Sequence, residues 1–188
     1  FGAWLGRPER RVAASLVVLG YAARLVGPTL AVLLREGLLL DARPHRVHYA
    51  YAPQRGFTLG LPHPAGWQPP GTEQVPAWCH TVLDSHLAPL VAAVRADTPV
   101  AAGLLWGNVA SGITGALRAV TGTGAVPVHK GHTFGLSILD HDPLRGSGTL
   151  TVHSGSLGFR RRSCCLYYRL PGGGTCGDCP LATGARSP

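Results

Sequence analysis

Near the N-terminus, hydrophobic residues recur at Val12, Leu16, Leu19, Ala23 and Val26, in steps of four, three, four and three. That spacing places them on one face of a helix. Pro8 suits its first turn, and Gly27-Pro28 is expected to end it, because proline lacks the N–H and crowds the preceding turn. A second apolar helix is expected from Thr29 to Arg35, closing at Gly37. Val47, Tyr49 and Tyr51 then alternate with polar or small residues before Pro53-Gln54-Arg55-Gly56 and Phe57-Thr58-Leu59, a pattern that reads as a β-hairpin. Leu61 to Pro76 holds five prolines and reads as a loop or joint.

Pro76 opens a third helix carrying Leu83, Leu87, Leu90, Val91 and Val94, with a kink expected at Pro89. Thr98-Pro99 offers an N-cap and first-turn proline for a fourth, which carries Leu105, Asn108, Ile113 and Leu117. Gly107, Gly112 and Gly115 lie within it and signal either close backbone packing or a break. Ala125 to Leu139 fits helix or strand equally, and Thr149 to Val152 reads as a short strand. The expected architecture is α+β: one helix-rich domain with a small β-hairpin and a cysteine-rich C-terminal segment, divided as a body over 1–148 and a segment over 149–188.

A chain of 188 residues that is 45% apolar can bury a core, which excludes global disorder. The 26 Gly and 16 Pro follow no fixed period, which excludes collagen-like chains. The net charge of +8 comes almost wholly from Arg, since Lys130 is the single lysine, and such a bias reflects GC-rich coding as readily as an acidic partner. Six Arg and one acid, Asp178, nevertheless fall between Arg145 and Pro188. Arg24, Arg35 and Glu36 interrupt one greasy region and Arg95 and Asp97 another, short of the roughly 18 to 20 apolar residues of a bilayer span. The chain is therefore expected to be soluble. It has no Met and begins at Phe1, so its natural start is expected to be missing. No G-x-G-x-x-G, P-loop, G-x-S-x-G or H-E-x-x-H pattern occurs, which removes the common nucleotide-binding and hydrolase readings.

Four of the five cysteines lie within sixteen residues: Cys164 and Cys165 adjacent, then Cys176 and Cys179 as C-x-x-C. The ten residues between have an apolar stem, Leu166-Tyr167-Tyr168, and a Gly172-Gly173-Gly174 tip, so the chain can reverse and bring the pairs together. Three chemistries compete. A structural zinc site usually draws each pair of ligands from C-x2-4-C, which the adjacent pair fits poorly. A 2Fe-2S centre offers two irons with two thiolates each, so neighbouring cysteines can serve different irons. Disulfides are the third, although a bond between adjacent cysteines is strained.

The run Phe159-Arg160-Arg161-Arg162-Ser163-Cys164-Cys165-Leu166-Tyr167-Tyr168-Arg169, followed by Pro171-Gly172-Gly173-Gly174-Thr175-Cys176-Gly177-Asp178-Cys179-Pro180, resembles the C-terminal motif of FhuF-type ferric siderophore reductases. Their C-C-x10-C-x2-C pattern is matched in full at Cys164, Cys165, Cys176 and Cys179, while Trp106-Gly107-Asn108-Val109-Ala110-Ser111 is similar to the family's helical body more loosely. The resemblance implies that these four cysteines ligate a 2Fe-2S cluster, and that one electron passes from it to Fe(III) held by a hydroxamate siderophore. Fe(II) suits hard oxygen ligands less well, so reduction would release the metal in the cell. An electron donor is required, and nucleic acid is not an expected partner. The expected location is cytoplasmic, with possible peripheral contact at the inner face of the membrane. Two other readings stand beside it: a four-cysteine zinc module with a nucleic-acid-contacting strand, and an iron-sulfur carrier serving another protein.

A four-thiolate 2Fe-2S centre carries about −2 when oxidised and about −3 when reduced, so nearby cations favour the reduced form. Arg160, Arg161, Arg162 and Arg169 are candidates, against the plainer reading of a solvated basic strand. Backbone N–H groups of Gly172 to Gly174 and Gly177 are candidate donors to sulfur, or a mere flexible turn. Cys79 reads as a small buried thiol, and His129 and His132 as surface residues. Tyr167 and Tyr168 read as packing residues, with shielding of the cluster the alternative. Trp106 and Asn108 are read as helix packing with one buried amide, with a siderophore groove the alternative.

Overall fold

A computed structural model describes Gly6 and residues 9–52 and 56–182. Pro8, the expected helix opener, and Pro53 to Arg55 of the expected hairpin turn lie outside the described residues. The first helix, α1 (Arg10–Glu36), runs unbroken through Pro28, so the expected stop at Gly27-Pro28 and the separate helix from Thr29 are corrected. Pro28 deletes one helical hydrogen bond, but the buried face continues on either side of it through Leu25, Val26, Thr29, Leu30, Leu33 and Leu34. Burial of that many apolar groups outweighs the roughly 3 kcal/mol that an interior proline costs. The Thr29 hydroxyl also donates to the carbonyls of Leu25 and Val26, each at 3.0 Å. The helix ends as expected at Gly37, whose φ of +69° sets a left-handed cap.

Because α1 is continuous, it is long and apolar enough to cross a bilayer by length and composition, contrary to the expectation from the sequence. Its apolar face packs within the protein, chiefly against α4 (Ala102–Gly122).

Two short strands, β1 (Leu39–Leu40) and β4 (Gly66–Trp67), pair antiparallel, which gives some order to the proline-rich region read as loop. Between them lies the expected hairpin, β2 (His48–Ala52) with β3 (Gly56–Gly60), in the register Tyr49↔Leu59 and Tyr51↔Phe57. Phe57 is buried against the body, whereas Tyr49 and Tyr51 face solvent.

The third helical region comprises α2 (Gln74–Trp78), a π-helical stretch (Cys79–Leu87) and α3 (Ala88–Asp97). The expected kink at Pro89 is thus a widened turn just ahead of it, in which the Ala88 N–H reaches back to the Leu83 carbonyl. Thr98 does not cap α4. Its hydroxyl donates to the Asp97 carboxylate at 2.7 Å, its N–H continues α3 to Val94, and α4 begins at Ala102. Val128–Leu139, in the ambiguous region, is helix α5. A second hairpin, β5 (Gly148–His153) with β6 (Ser156–Arg161), completes the fold and lays its inner face on α4 and α5. The architecture is α+β, a single domain around one large hydrophobic core.

Two glycines of α4 have opposite surroundings. A Cβ at Gly112 would sit 3.2 Å from the Ala23 nitrogen and 3.4 Å from the Ala22 carbonyl carbon, so this glycine lets α4 cross α1 backbone to backbone. At Gly115 a Cβ would meet nothing within 4 Å. We expect Gly112→Val to cost about 2 kcal/mol through overpacking, and Gly115→Ala to add about 1 kcal/mol through helix propensity. Urea denaturation of the two variants should therefore move in opposite directions; a stabilised Gly112→Val would contradict the crossing.

Candidate 2Fe-2S centre

The cysteine segment leaves β6 and folds over α1 and α4. Its entry is fixed by the backbone: the Arg161 N–H donates to the Asp178 carbonyl at 3.1 Å and the Arg162 N–H to Ser147 at 2.8 Å. Asp178 also accepts a hydrogen bond from Arg118 of α4 at 3.1 Å. The C-x-x-C turn is closed by Cys179 N–H to Cys176 carbonyl, 3.1 Å. Between the pairs, Leu166 takes a left-handed φ of +66°, costly for a residue with a Cβ. Burial of its side chain against Val12 and Leu16 of α1 holds it there. The glycine tip is also steric, because a Cβ at Gly173 would run into the Tyr167 and Leu170 carbonyls.

The chain's reversal brings the Cys165 and Cys176 sulfurs to 3.5 Å, the Cys165 thiol donating to Cys176 Sγ with no disulfide between them. Cys165 and Cys179 are buried, and Cys164 and Cys176 are half-buried. Among the described residues no three metal-ligating side chains gather about one point. Burial pushes the Cys165 thiol up to about 11, opposed by a Tyr167 N–H hydrogen bond and by the charge of Arg161. A proton leaves such a thiol readily only when a metal takes its place.

Main-chain donors converge on the sulfurs. Leu166 N–H points to Cys164 Sγ at 3.3 Å, and Leu181 N–H to Cys179 Sγ at 3.4 Å. Tyr167 N–H also reaches Cys165, and of the glycines expected as donors Gly173 directs its N–H to the Leu170 carbonyl instead.

Of the four candidate arginines, three face solvent. Arg160 reaches the Pro180 carbonyl, Arg162 is exposed, and Arg169 pairs with Glu9 at 2.9 Å. Arg161 differs, being 2% exposed. One of its terminal nitrogens, Nη2, donates to the Asn108 side-chain oxygen and to the Leu104 carbonyl. The Asn108 amide nitrogen in turn donates to the Ser15 carbonyl at 2.7 Å and Ser15 Oγ at 2.9 Å, and Ser15 Oγ donates to the Cys165 carbonyl at 2.7 Å. A buried polar chain thus joins β6, α4, α1 and the first cysteine pair. Gly107 makes room for it, since a Cβ there would lie 3.2 Å from Arg161 Nη2. Asn108 is the buried amide expected from sequence, and Trp106 is buried beside it. The part played by Ser15 was not read from sequence.

Tyr167 and Tyr168, expected to pack, are 41% and 45% exposed. A groove of about 400 Å³ runs between α1 and α4, lined by Leu19, Ala23, Gly115 and Ala116, and opens beside Cys176. Cys79 is fully buried, with its thiol pushed up to about 12 by burial, as a packing residue should be. His129 is exposed and His132 half-buried.

A family model described as ferric iron reductase FhuF-like transporter matches residues 15–144, and one described as FhuF 2Fe-2S C-terminal domain matches residues 161–181. The chain belongs to the FhuF family. No curated protein matches it. Its cofactor is accordingly a 2Fe-2S cluster. The residues present fit that group: four sulfurs in a reversing loop, N–H donors aimed at three of them, and one buried cation. The FhuF assignment also accounts for the matched body, in which α1 and α4 form the platform beneath the cysteine segment.

Proposed function

We propose that the chain reduces ferric siderophores of the hydroxamate type, with Cys164, Cys165, Cys176 and Cys179 as the four ligands of its cluster. Membership of a ferric iron reductase family supports oxidoreductase chemistry on iron. The observation that carries the ligand set is the reversal that sets Cys165 Sγ 3.5 Å from Cys176 Sγ, in a segment whose other two sulfurs accept backbone hydrogen bonds. In this reading residues 1–148 are the supporting body and 149–188 the cluster-binding segment.

When bound, the cluster supplies a one-electron couple. The chain's own residues do the rest. Backbone N–H groups of Leu166, Tyr167 and Leu181 stabilise negative sulfur. Leu166 and Leu170 close the loop on α1 and keep water from its inner side. The outer side remains open, where Tyr167, Tyr168 and Leu181 face solvent and the α1–α4 groove meets Cys176. A ferric chelate approaching there needs no proton to be supplied, because the change from Fe(III) to Fe(II) itself weakens binding by hard oxygen ligands. An unidentified one-electron donor restores the reduced state. The setting proposed is the cytoplasm, where iron-sulfur thiolates stay reduced, with peripheral contact at the inner membrane face.

The test is anaerobic turnover: purified chain, excess chemical reductant and a ferric hydroxamate, with Fe(II) captured by a ferrous-specific chromogenic chelator. Catalytic release above the protein-free rate is expected. A redox-active chain that releases no iron from any hydroxamate chelate would instead be a carrier for another protein.

A further inference from the structure

Arg161 is a buried guanidinium whose bonding is incomplete among the described residues, and it lines the groove between α1 and α4 together with Cys176 and Asp178. Its Nη2 is used by Asn108 and Leu104, while Nε and Nη1 are buried and have no hydrogen-bond partner among the described residues. Leaving charged N–H groups buried and unpaired is strongly unfavourable, so their burial implies an acceptor. The charge of Arg161 acts on Cys165. Asp178, the acid nearest in the segment, is bound through its side chain to Arg118, and offers Arg161 only its backbone carbonyl.

We infer that Arg161 is held by the Asn108–Ser15 chain so that its free Nε and Nη1 N–H groups donate to sulfur of the 2Fe-2S cluster, favouring the reduced state. The inference rests on the proposed ligand set. Charge-assisted N–H donors to sulfur stabilise the more negative reduced form more than the oxidised one and raise the potential. Arg160 and Arg162 flank Arg161 in sequence but are exposed, so water screens them and their effect is small. Asn108 is a positioning residue: it fixes the guanidinium plane through Nη2 and leaves the other two nitrogens free.

The experiment is a redox titration of the visible spectrum and EPR signal of the full chain and its Arg161→Lys, Arg161→Gln, Arg160→Gln and Arg162→Gln variants. At a fixed ambient potential, Arg161→Gln should show at least a tenfold lower ratio of reduced to oxidised cluster, about 59 mV for a one-electron couple. Arg161→Lys, which keeps the charge but loses the planar donors, should fall between it and the wild type, and the exposed variants should change the ratio less than twofold. A second measurement needs no variant: wild-type chain labelled with 15N only in the arginine guanidinium, reduced and studied by pulsed EPR, should show 15N coupling to the cluster. An unlabelled-like spectrum would overturn the inference, as would equal potentials for Arg161→Lys, Arg161→Gln and wild type. Either result with a normal wild-type cluster leaves the ferric reductase reading intact, whereas a wild type without iron and sulfide would overturn that reading itself.

Discussion

Cys165→Ala is expected to abolish both the visible absorption of the protein and its release of Fe(II) from a ferric hydroxamate. Cys165 is the most enclosed of the four sulfurs, 1% exposed, and is in direct contact with Cys176. In the proposed ligand set, its loss leaves one iron with a single protein thiolate. Cys79→Ala is the matched control: it removes a thiol that is equally buried and lies in the hydrophobic core. That variant should keep its colour and turnover and lose only modest stability. The assay is iron and acid-labile sulfide content after anaerobic purification, followed by turnover. A Cys165→Ala protein with wild-type sulfide and colour would remove this residue from the ligand set.

Asn108→Ala is expected to destabilise the fold by about 3 kcal/mol, and more of the purified chain should lack its cofactor. The variant strips the buried Arg161 of its only side-chain acceptor among the described residues and deprives Ser15 of its amide donor. Removing one partner of a buried charged hydrogen bond costs the desolvation of the other, beyond the bond itself. Asn108→Ala together with Arg161→Leu removes both halves of the interaction. The double variant should recover part of the lost stability while its cluster stays at lower potential. Thermal and urea unfolding of the cluster-free proteins report the first effect without interference from metal. If the single variant were as stable as wild type, the buried chain would contribute nothing to the platform.

The cysteine motif was legible only in part from its residues: the glycine-tipped reversal brings the two pairs together, but spacing leaves iron-sulfur, zinc and disulfide readings open, and the resemblance to the C-C-x10-C-x2-C pattern chooses among them. The second hairpin also held the clue to Arg161: Leu157, Phe159 and Arg161 occupy alternate positions of β6, the two apolar ones point to the core, and Arg161 shares their inward face. Counting arginines as a charge cluster obscured that alternation. Pro28 does not stop the helix, because the buried face of α1 continues from Val12 to Leu34, about six turns, and overrides the local rule. The local rule for Thr98 fails in a similar way, since its hydroxyl found a nearer acceptor in Asp97 than the helix it was expected to cap. Ser15 gave no local signal at all; its role exists only because α1 crosses α4 at Asn108, 93 positions away.

The central claim is most directly tested by a single turnover. The chain is reduced anaerobically with dithionite, freed of excess reductant and mixed with one equivalent of a ferric hydroxamate, while the visible cluster band and the captured Fe(II) are followed together. The account predicts that the bleached band returns as Fe(II) appears, one iron released per cluster reoxidised. A cluster that stays reduced in the presence of the chelate, or that reoxidises without releasing Fe(II), would contradict it.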